Sequence, residues 1–399
     1  MSKTSLKTTV EWRSINWRKL EKRVYKLQKR IYRASQRGDL KAVRRLQKIL
    51  MKSWSARALA VRRVTQDNTG KKTAGVDGIK SLSPEARLKL VNKLKLGSKV
   101  RPTRRVWIPK PGTEEKRPLG IPTMEDRALQ SLVKLALEPE WEARFEPNSY
   151  GFRPGRSCQD AIGAIFNCIR YKNKYVLDAD IAKCFDKIDH EALLRKLNTS
   201  PTIRRQVRAW LKAGVMDGKQ LFPTSEGTPQ GGVISPLLAN IALHGMEERI
   251  KREFPKRDTS IKGKRITYNA AQLIRYADDF VILHEDLTVV QRCRDIISEW
   301  LKDMGLELKP SKTRLVHTLI QVDGQSPGFN FLGSRQENNL LWLHKHGNVK
   351  IINHAKVKGE SSPYDGNLVY WSTRMGNNPE MPSRVSKLLK QQKREMRPL

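Results

Sequence analysis

Cysteine is scarce in this chain, with four in 399 residues (Cys158, Cys168, Cys184 and Cys293). No two of them form a C-x-x-C pair, which argues against a zinc site or a disulfide framework and fits a reducing cytoplasm. Acid is also scarce: 40 Asp and Glu face 78 Lys and Arg, for a formal net charge of +38. Long apolar runs are missing. Nothing approaches the roughly 20 residues of a membrane span, and the opening MSKTSLKTTVEWRS holds no apolar signal segment. Internal repeats and long low-complexity tracts are lacking too. What remains is a folded chain with room for two or three domains, and a surplus of positive charge that points to a polyanion, most often nucleic acid.

That surplus is uneven. Residues 11–63 hold 18 Lys and Arg against three acids (Glu11, Glu21 and Asp39), a net of +15. Apolar residues recur there at helical spacing, first Leu20, Val24, Leu27 and Ile31, then Leu40, Val43, Leu46, Ile49 and Leu50. Gly38 and Asp39 interrupt the pattern, which predicts two helices and a turn. A solvated face usually mixes signs and this one hardly does. Arg44, Arg45, Lys48 and Lys52 are therefore predicted to bind the phosphates of a polyanion.

Further along, VWIP, KPGTEEK and PLGIP (within 104–122) read as strand, turn, strand. Residues 126–145 and 157–171 read as amphipathic helices, the second capped by Ser157. KYVLDAD (174–180) is a short strand. HEALLRKL and TIRRQVRAWLKAG are helices, and 238–254 is one longer helix. Residues 288–305 form a helix ending at a glycine. Helices mixed with a hairpin sheet predict an α+β fold.

RYADDFVIL (275–283) sets two aspartates side by side between apolar runs. Read as a hairpin, it places Asp278 and Asp279 at the end of a sheet. Paired carboxylates favour a retained proton or a cation, and their oxygens suit Mg²⁺. VLDADIAKCFD offers further carboxylates: Asp178 and Asp180 on one strand face, then Asp186. Two Mg²⁺ ions held this way can clamp the attacking and leaving oxygens of phosphoryl transfer. His190 and His317 are expected to be structural.

YADD, DADIAKCFDKIDH, GTPQGGVISPLLANIAL, RPLGIPTMEDRALQ and SYGFRPGRSCQDAI together resemble the ordered blocks of a group II intron reverse transcriptase/maturase. MGLELKPSKTRLVH and GFNFLG are similar to the last two blocks. The basic helices that end in NTGKKTAGVDG look like the family's extension before the fingers. The resemblance covers residues 11 to about 335. It implies right-hand polymerase fingers and palm with an antiparallel palm sheet (81–335), preceded by a basic RNA-binding extension (1–80). It also implies RNA-directed DNA polymerisation with Mg²⁺. The implied partners are the group II intron RNA, an RNA template, a DNA primer and deoxynucleoside triphosphates, with no membrane.

By the same resemblance Asp180 and Asp278 bind the metals and Asp279 supports them. Asp178 competes with Asp180. The preference for Asp180 rests on Phe185, five residues on, where related enzymes place the aromatic ring that excludes a ribose 2′-hydroxyl. Gln230 and Gly231 lie against the incoming nucleotide. Lys110 and Arg117 flank the fingertip turn as a triphosphate clamp, and Lys312 reaches the leaving pyrophosphate. A non-enzymatic RNA-binding splicing cofactor, a degenerate inactive remnant and a reverse transcriptase recruited to another system remain as alternatives.

After FNFLGS the family continues into a long helical thumb. Here residues 336–399 are cut by Gly, Pro and Asn every few positions, and only SRVSKLLKQQKREM looks helical. HAKVKGESSPYDGNLVYWSTRMG resembles the approach to the family's HNH-type endonuclease domain, but no C-x-x-C follows. The expectation is a truncated thumb and a lost nuclease.

Overall fold

A computed structural model describes residues 11–97, 99–109, 114–169, 172–261, 264–332, 334–337, 340–345 and 348–351. The expected helix in SRVSKLLKQQKREM lies outside the described residues, and so does Lys110.

Three helices open the chain: α1 (Trp17–Gln36), α2 (Leu40–Lys52) and α3 (Trp54–Arg62). Asn16 caps α1 by accepting the Lys19 N–H, and Asp39 caps α2 by accepting that of Ala42. The turn between them falls at Gly38–Asp39 as expected; α3 was not anticipated. The predicted apolar stripe is the buried one, with Leu20, Val24 and Ile31 on α1 and Val43, Leu46 and Leu50 on α2. Arg44, Arg45, Lys48 and Lys52 lie on the opposite, exposed face.

Next come α4 (Pro84–Lys93), the hairpin β1 (Thr103–Pro109) and β2 (Lys116–Ile121), and α5 (Met124–Glu142). The hairpin is antiparallel, running from Arg104↔Ile121 out to Pro109↔Lys116. Helix α5 is buried along nearly its whole length. The first two helices bond to its backbone: Gln28 to the Leu135 carbonyl, Gln47 to Ala136 and Ser35 to Glu140. The basic extension is thus welded to the domain core.

The middle of the chain runs α6 (Cys158–Ile169), β3 (Tyr175–Asp180), α7 (Cys184–Lys187), α8 (His190–Leu197) and α9 (Pro201–Leu211). Ser157 accepts the Asp160 N–H and caps α6 as expected. A short hairpin follows, β4 (Val215–Asp217) and β5 (Gln220–Phe222). Strand β4 adds in parallel to the root of β1 through Thr103↔Val215 and Arg104↔Met216. The fingers sheet therefore has the order β2-β1-β4-β5.

The single helix expected over 238–254 is two, α10 (Ser235–Leu243) and α11 (Met246–Glu253). Gly245 has φ +102 and breaks the hydrogen-bond run, although the apolar periodicity continues across it. A hairpin of β6 (Arg257–Ile261) and β7 (Lys264–Tyr268) leads to β8 (Gln272–Tyr276), β9 (Asp279–His284), α12 (Leu287–Lys302) and β10 (Arg314–His317). The palm sheet has the order β10-β3-β9-β8, and every pairing is antiparallel. Helix α12 packs against β3 and β9, which bury Leu177, Phe280 and Ile282 in the main core. The described end of the chain is a meander, β11 (Phe329–Phe331), β12 (Ser334–Glu337), β13 (Leu340–Lys345) and β14 (Asn348–Ile351).

Candidate active site

Asp180 closes β3 and Asp279 opens β9, and the two stand directly opposite in register. Ala277 and Asp278 make the turn between β8 and β9, with Ala277 at φ +59. The hairpin reading of YADD is thus the observed one. Burial pushes Asp278 above the usual carboxylate range, with the Asp180 charge adding to it. Asp279 is pushed up to about 6, first by burial and then by Asp278 and Asp180. These three side chains share one electrostatic neighbourhood, and it is short of positive charge.

Cations stand around it. The Lys312 ammonium lies 2.9 Å from an Asp180 oxygen. That contact holds Lys312 above its ordinary pKa. Arg117, exposed on β2, exerts its charge on Asp278. Asp178 shares its strand face with Asp180 but has a private partner. Arg314, opposite it on β10, donates to its carboxylate at 2.8 Å. Even so, burial raises Asp178.

Asp186 does not join the other carboxylates; it accepts both hydrogen bonds of the Gln230 amide, at 3.0 and 3.1 Å. The loop 227–231 is stitched between α7 and the fingers. Thr228 N–H donates to the Phe185 carbonyl (2.6 Å), and Gly120 N–H to that of Gln230 (2.6 Å). Gly231 closes against Gly120. A cleft of ≈ 210 Å³ opens there, with Arg105, Gly120, Phe185, Thr228 and Gln230 among its walls. The structure thus brings Asp180, Asp278, Asp279 and Lys312 together at one end of the palm, puts Phe185, Gln230 and Gly231 around the loop that joins α7 to the fingers, and leaves Arg117 on the fingers hairpin in electrostatic reach of Asp278. The helical face with Arg44, Arg45, Lys48 and Lys52 is elsewhere, on α2.

The two histidines are structural, as expected. His190 is buried and bonds the Gly227 carbonyl at 2.6 Å. His317 Nδ1 accepts the N–H groups of Leu319 and Ile320.

Sequence reasoning missed the support of the YADD turn. Arg275 is fully buried inside the palm hairpin. Its guanidinium donates to the Ala277 carbonyl (2.8 Å), Asn240 Oδ1 (3.0 Å) and Ser149 Oγ (2.7 Å). Burial brings its pKa down to about 10, so it remains a cation. Gly151 packs on the same turn: a Cβ there would fall 2.2 Å from the Ala277 nitrogen. The available signal was an arginine in the apolar strand LIRY, where a solvated charge has no place.

Among the described residues, no group of three or more His, Cys, Asp or Glu is already drawn together as a metal cage. Mg²⁺ asks for less, since it keeps waters and takes one or two carboxylates with substrate phosphates. Asp180 and Asp278, with Asp279 beside them and an ammonium already on Asp180, suit such a cation.

Residues 108–335 match the family described as reverse transcriptase (RNA-dependent DNA polymerase), and residues 12–94 match the N-terminal domain of reverse transcriptase. Protein YkfC of Escherichia coli is 32% identical over 349 residues, which is 79% of this chain and 87% of that protein. The group II intron-encoded protein LtrA of Lactococcus lactis is 38% identical over 208 residues, 48% of this chain and 34% of LtrA. The "Uncharacterized 91 kDa protein in cob intron" of Schizosaccharomyces pombe is 29% identical over 302 residues, 63% of this chain and 37% of that protein. This chain therefore spans most of YkfC but only about a third of each intron protein. Among the described residues, no helix is long and apolar enough to cross a membrane. With the first match covering more than half of its length, the chain belongs to the reverse transcriptase family.

Proposed function

We propose that this chain is an RNA-directed DNA polymerase of the group II intron-encoded kind. It extends a DNA primer by nucleotidyl transfer on an RNA template, and the RNA of its own intron is its resident partner. The observation that carries this reading is the group of Asp180, Asp278 and Asp279 at the end of the palm sheet, with Lys312 on Asp180 and Arg117 in electrostatic reach.

Asp180 and Asp278 would hold Mg²⁺, with Asp279 in support. The bound metal supplies positive charge at the reacting phosphate. Asp180 is the better ligand because it stands opposite Asp279 at the strand end, whereas Asp178 lies two residues back, opposite Val281. Arg117 offers forked donors to the triphosphate. Lys110, outside the described residues, is assigned to the same clamp by its place in the sequence. Lys312, once off Asp180, is placed for the leaving pyrophosphate. Gln230, fixed by Asp186, and Gly231 form the floor for the incoming nucleotide, and the Phe185 ring excludes a ribose 2′-hydroxyl. Arg44, Arg45, Lys48 and Lys52 bind RNA phosphates on a separate face.

Primer extension on an RNA template with Mg²⁺ tests this directly. Asp278→Asn and Asp180→Asn are each expected to lower extension by about a thousandfold or more, the scale of several kcal/mol of lost charge stabilisation. RNA affinity is expected to persist, because no positive surface is removed. Activity kept by Asp180→Asn and lost by Asp178→Asn would reverse the choice within β3. RNA binding by a wild-type chain that never extends a primer would favour the splicing-cofactor reading.

A further inference from the structure

Phe152 takes no part in the roles above, and its conformation is costly. It has φ +59, a region that bulky side chains rarely enter. The residue is 47% exposed, so burial does not offset the strain. The backbone on both sides is pinned. The Gly151 carbonyl accepts from Asn240 Nδ2 at 2.7 Å, and the Gly151 Cα abuts the Ala277 turn. On the other side the buried Arg153 donates to Glu142 at 3.0 and 2.6 Å. It also donates to the carbonyls of Glu146 and Ser149, at 2.7 Å each. Strain at a non-glycine residue persists only where its surroundings over-determine it, and such strain gathers at functional sites.

This arrangement delivers one aromatic contact. The Phe152 ring stands edge-to-face on Phe185, with centroids 6.0 Å apart and planes at 79°. Phe185 also packs against the main core. It is only partly buried, it sits on the four-residue helix α7, and the residue before that helix, Lys183, is left-handed at φ +44. One short turn leaves a ring room to change rotamer. A gate that works by collision fails if the ring can swing aside.

We infer that Phe152 is a positioning residue for nucleotide selection. It holds the Phe185 ring where a ribonucleoside triphosphate is rejected, and it ties that ring to the Asp278 turn through Gly151. The inference rests on Phe185 being the sugar gate.

The test compares kcat/KM for a deoxynucleotide and its ribonucleotide counterpart, using the full chain. The proteins are wild type, Phe152→Gly, Phe152→Tyr, Phe185→Ala and the Phe152→Gly/Phe185→Ala double variant. Glycine removes both the ring and the backbone strain, so thermal unfolding is expected to hold or rise. Discrimination is expected to fall by about tenfold, the upper worth of one aromatic pair, mainly through faster ribonucleotide use. Tyrosine is expected to restore it. The double variant is expected to discriminate no worse than Phe185→Ala alone, because both changes disable one device. Discrimination lost in Phe185→Ala but intact in Phe152→Gly would overturn the inference and leave the gate standing. A lower melting temperature in Phe152→Gly, with both nucleotides impaired in proportion, would also overturn it by making the ring mere packing. An unchanged ratio in Phe185→Ala would remove the gate, and the inference with it.

Discussion

At the end of the palm sheet three carboxylates crowd together, partly buried, two of them with raised pKa values. Along α2, four exposed cations, Arg44, Arg45, Lys48 and Lys52, span about two turns of helix, with Arg44 in electrostatic reach of the buried Glu140. The acidic group is held by a buried guanidinium, a close glycine contact and strand register. The basic group rides on a helix seated by the stripe of Val43, Leu46 and Leu50 and by the Gln47 bond to α5, while its own side chains reach into solvent. Chemistry at one phosphorus atom needs side chains fixed to a fraction of an ångström. A repeating polyanion needs only charge at roughly the right spacing. On the proposed function, the two regions would serve targets that differ in tolerance, and the packing beneath each differs to match.

Four changes would break or sharpen this contrast. The largest effect is expected from Arg275→Met. It strands Ser149 Oγ, Asn240 Oδ1 and the Ala277 carbonyl in the interior, at about 1–3 kcal/mol for each buried group left unmade. Urea unfolding should report a loss of at least about 3 kcal/mol, and extension should fall with it. Lysine cannot reproduce the fork, so Arg275→Lys should recover little.

Gly151→Ala comes next. Its methyl group must displace backbone at the YADD turn, and misplacement of about 1 Å can cost a hundredfold in rate. Extension should drop on that scale while RNA affinity stays level. Equal losses in both would mean that the two regions are mechanically one.

The third change concerns pH. The folded chain raises Asp279 from 3.8 to about 6, so it holds that proton more tightly than the unfolded chain does. The resulting stability is whole below pH about 3.8 and is lost as the pH climbs through about 6. Asp279→Asn should flatten that loss. Metal-free urea midpoints, taken between about pH 4 and about pH 7, would show it. An unaltered slope would mean that Asp279 ionises as freely as a solvated residue.

The smallest effect per residue belongs to the basic face. Replacing Arg44, Arg45, Lys48 and Lys52 with Gln should reduce the salt slope of single-stranded RNA binding by about 3. Folding stability should scarcely change. A slope that stays the same would reduce this face to ordinary solvated surface.

Much of this was legible in the sequence because periodicity and turn chemistry are local. The Gly38–Asp39 turn, the fingers hairpin and the YADD hairpin all announce themselves within a few residues. The misses were non-local or hidden by a stronger signal. Apolar spacing ran straight through Gly245 and masked the break between α10 and α11. The β4–β5 hairpin carried a glycine-first turn signal at Gly218–Lys219. Its parallel addition to β1, a hundred residues upstream, could not be read from that signal. Arg275 looked like one more cation in a basic chain, since burial is not written in a residue's identity. Lys312 on Asp180 joins residues more than a hundred positions apart.

The parallel step between β1 and β4 changes what the fingers can do. It clamps the hairpin at its root, through Thr103 and Arg104, while the Gly120–Gln230 hydrogen bond clamps the other strand. The fingers are thus a cantilever rather than a hinged door. Beyond the clamp, toward Pro109 and Lys116, the strands pair with each other, and one side-chain tie crosses to the β4–β5 hairpin, the Trp107 indole N–H on Asp217 at 3.3 Å. Arg117 sits three residues outward of the Gly120 clamp, so bending of this hairpin would shift its guanidinium more than the Gln230 loop.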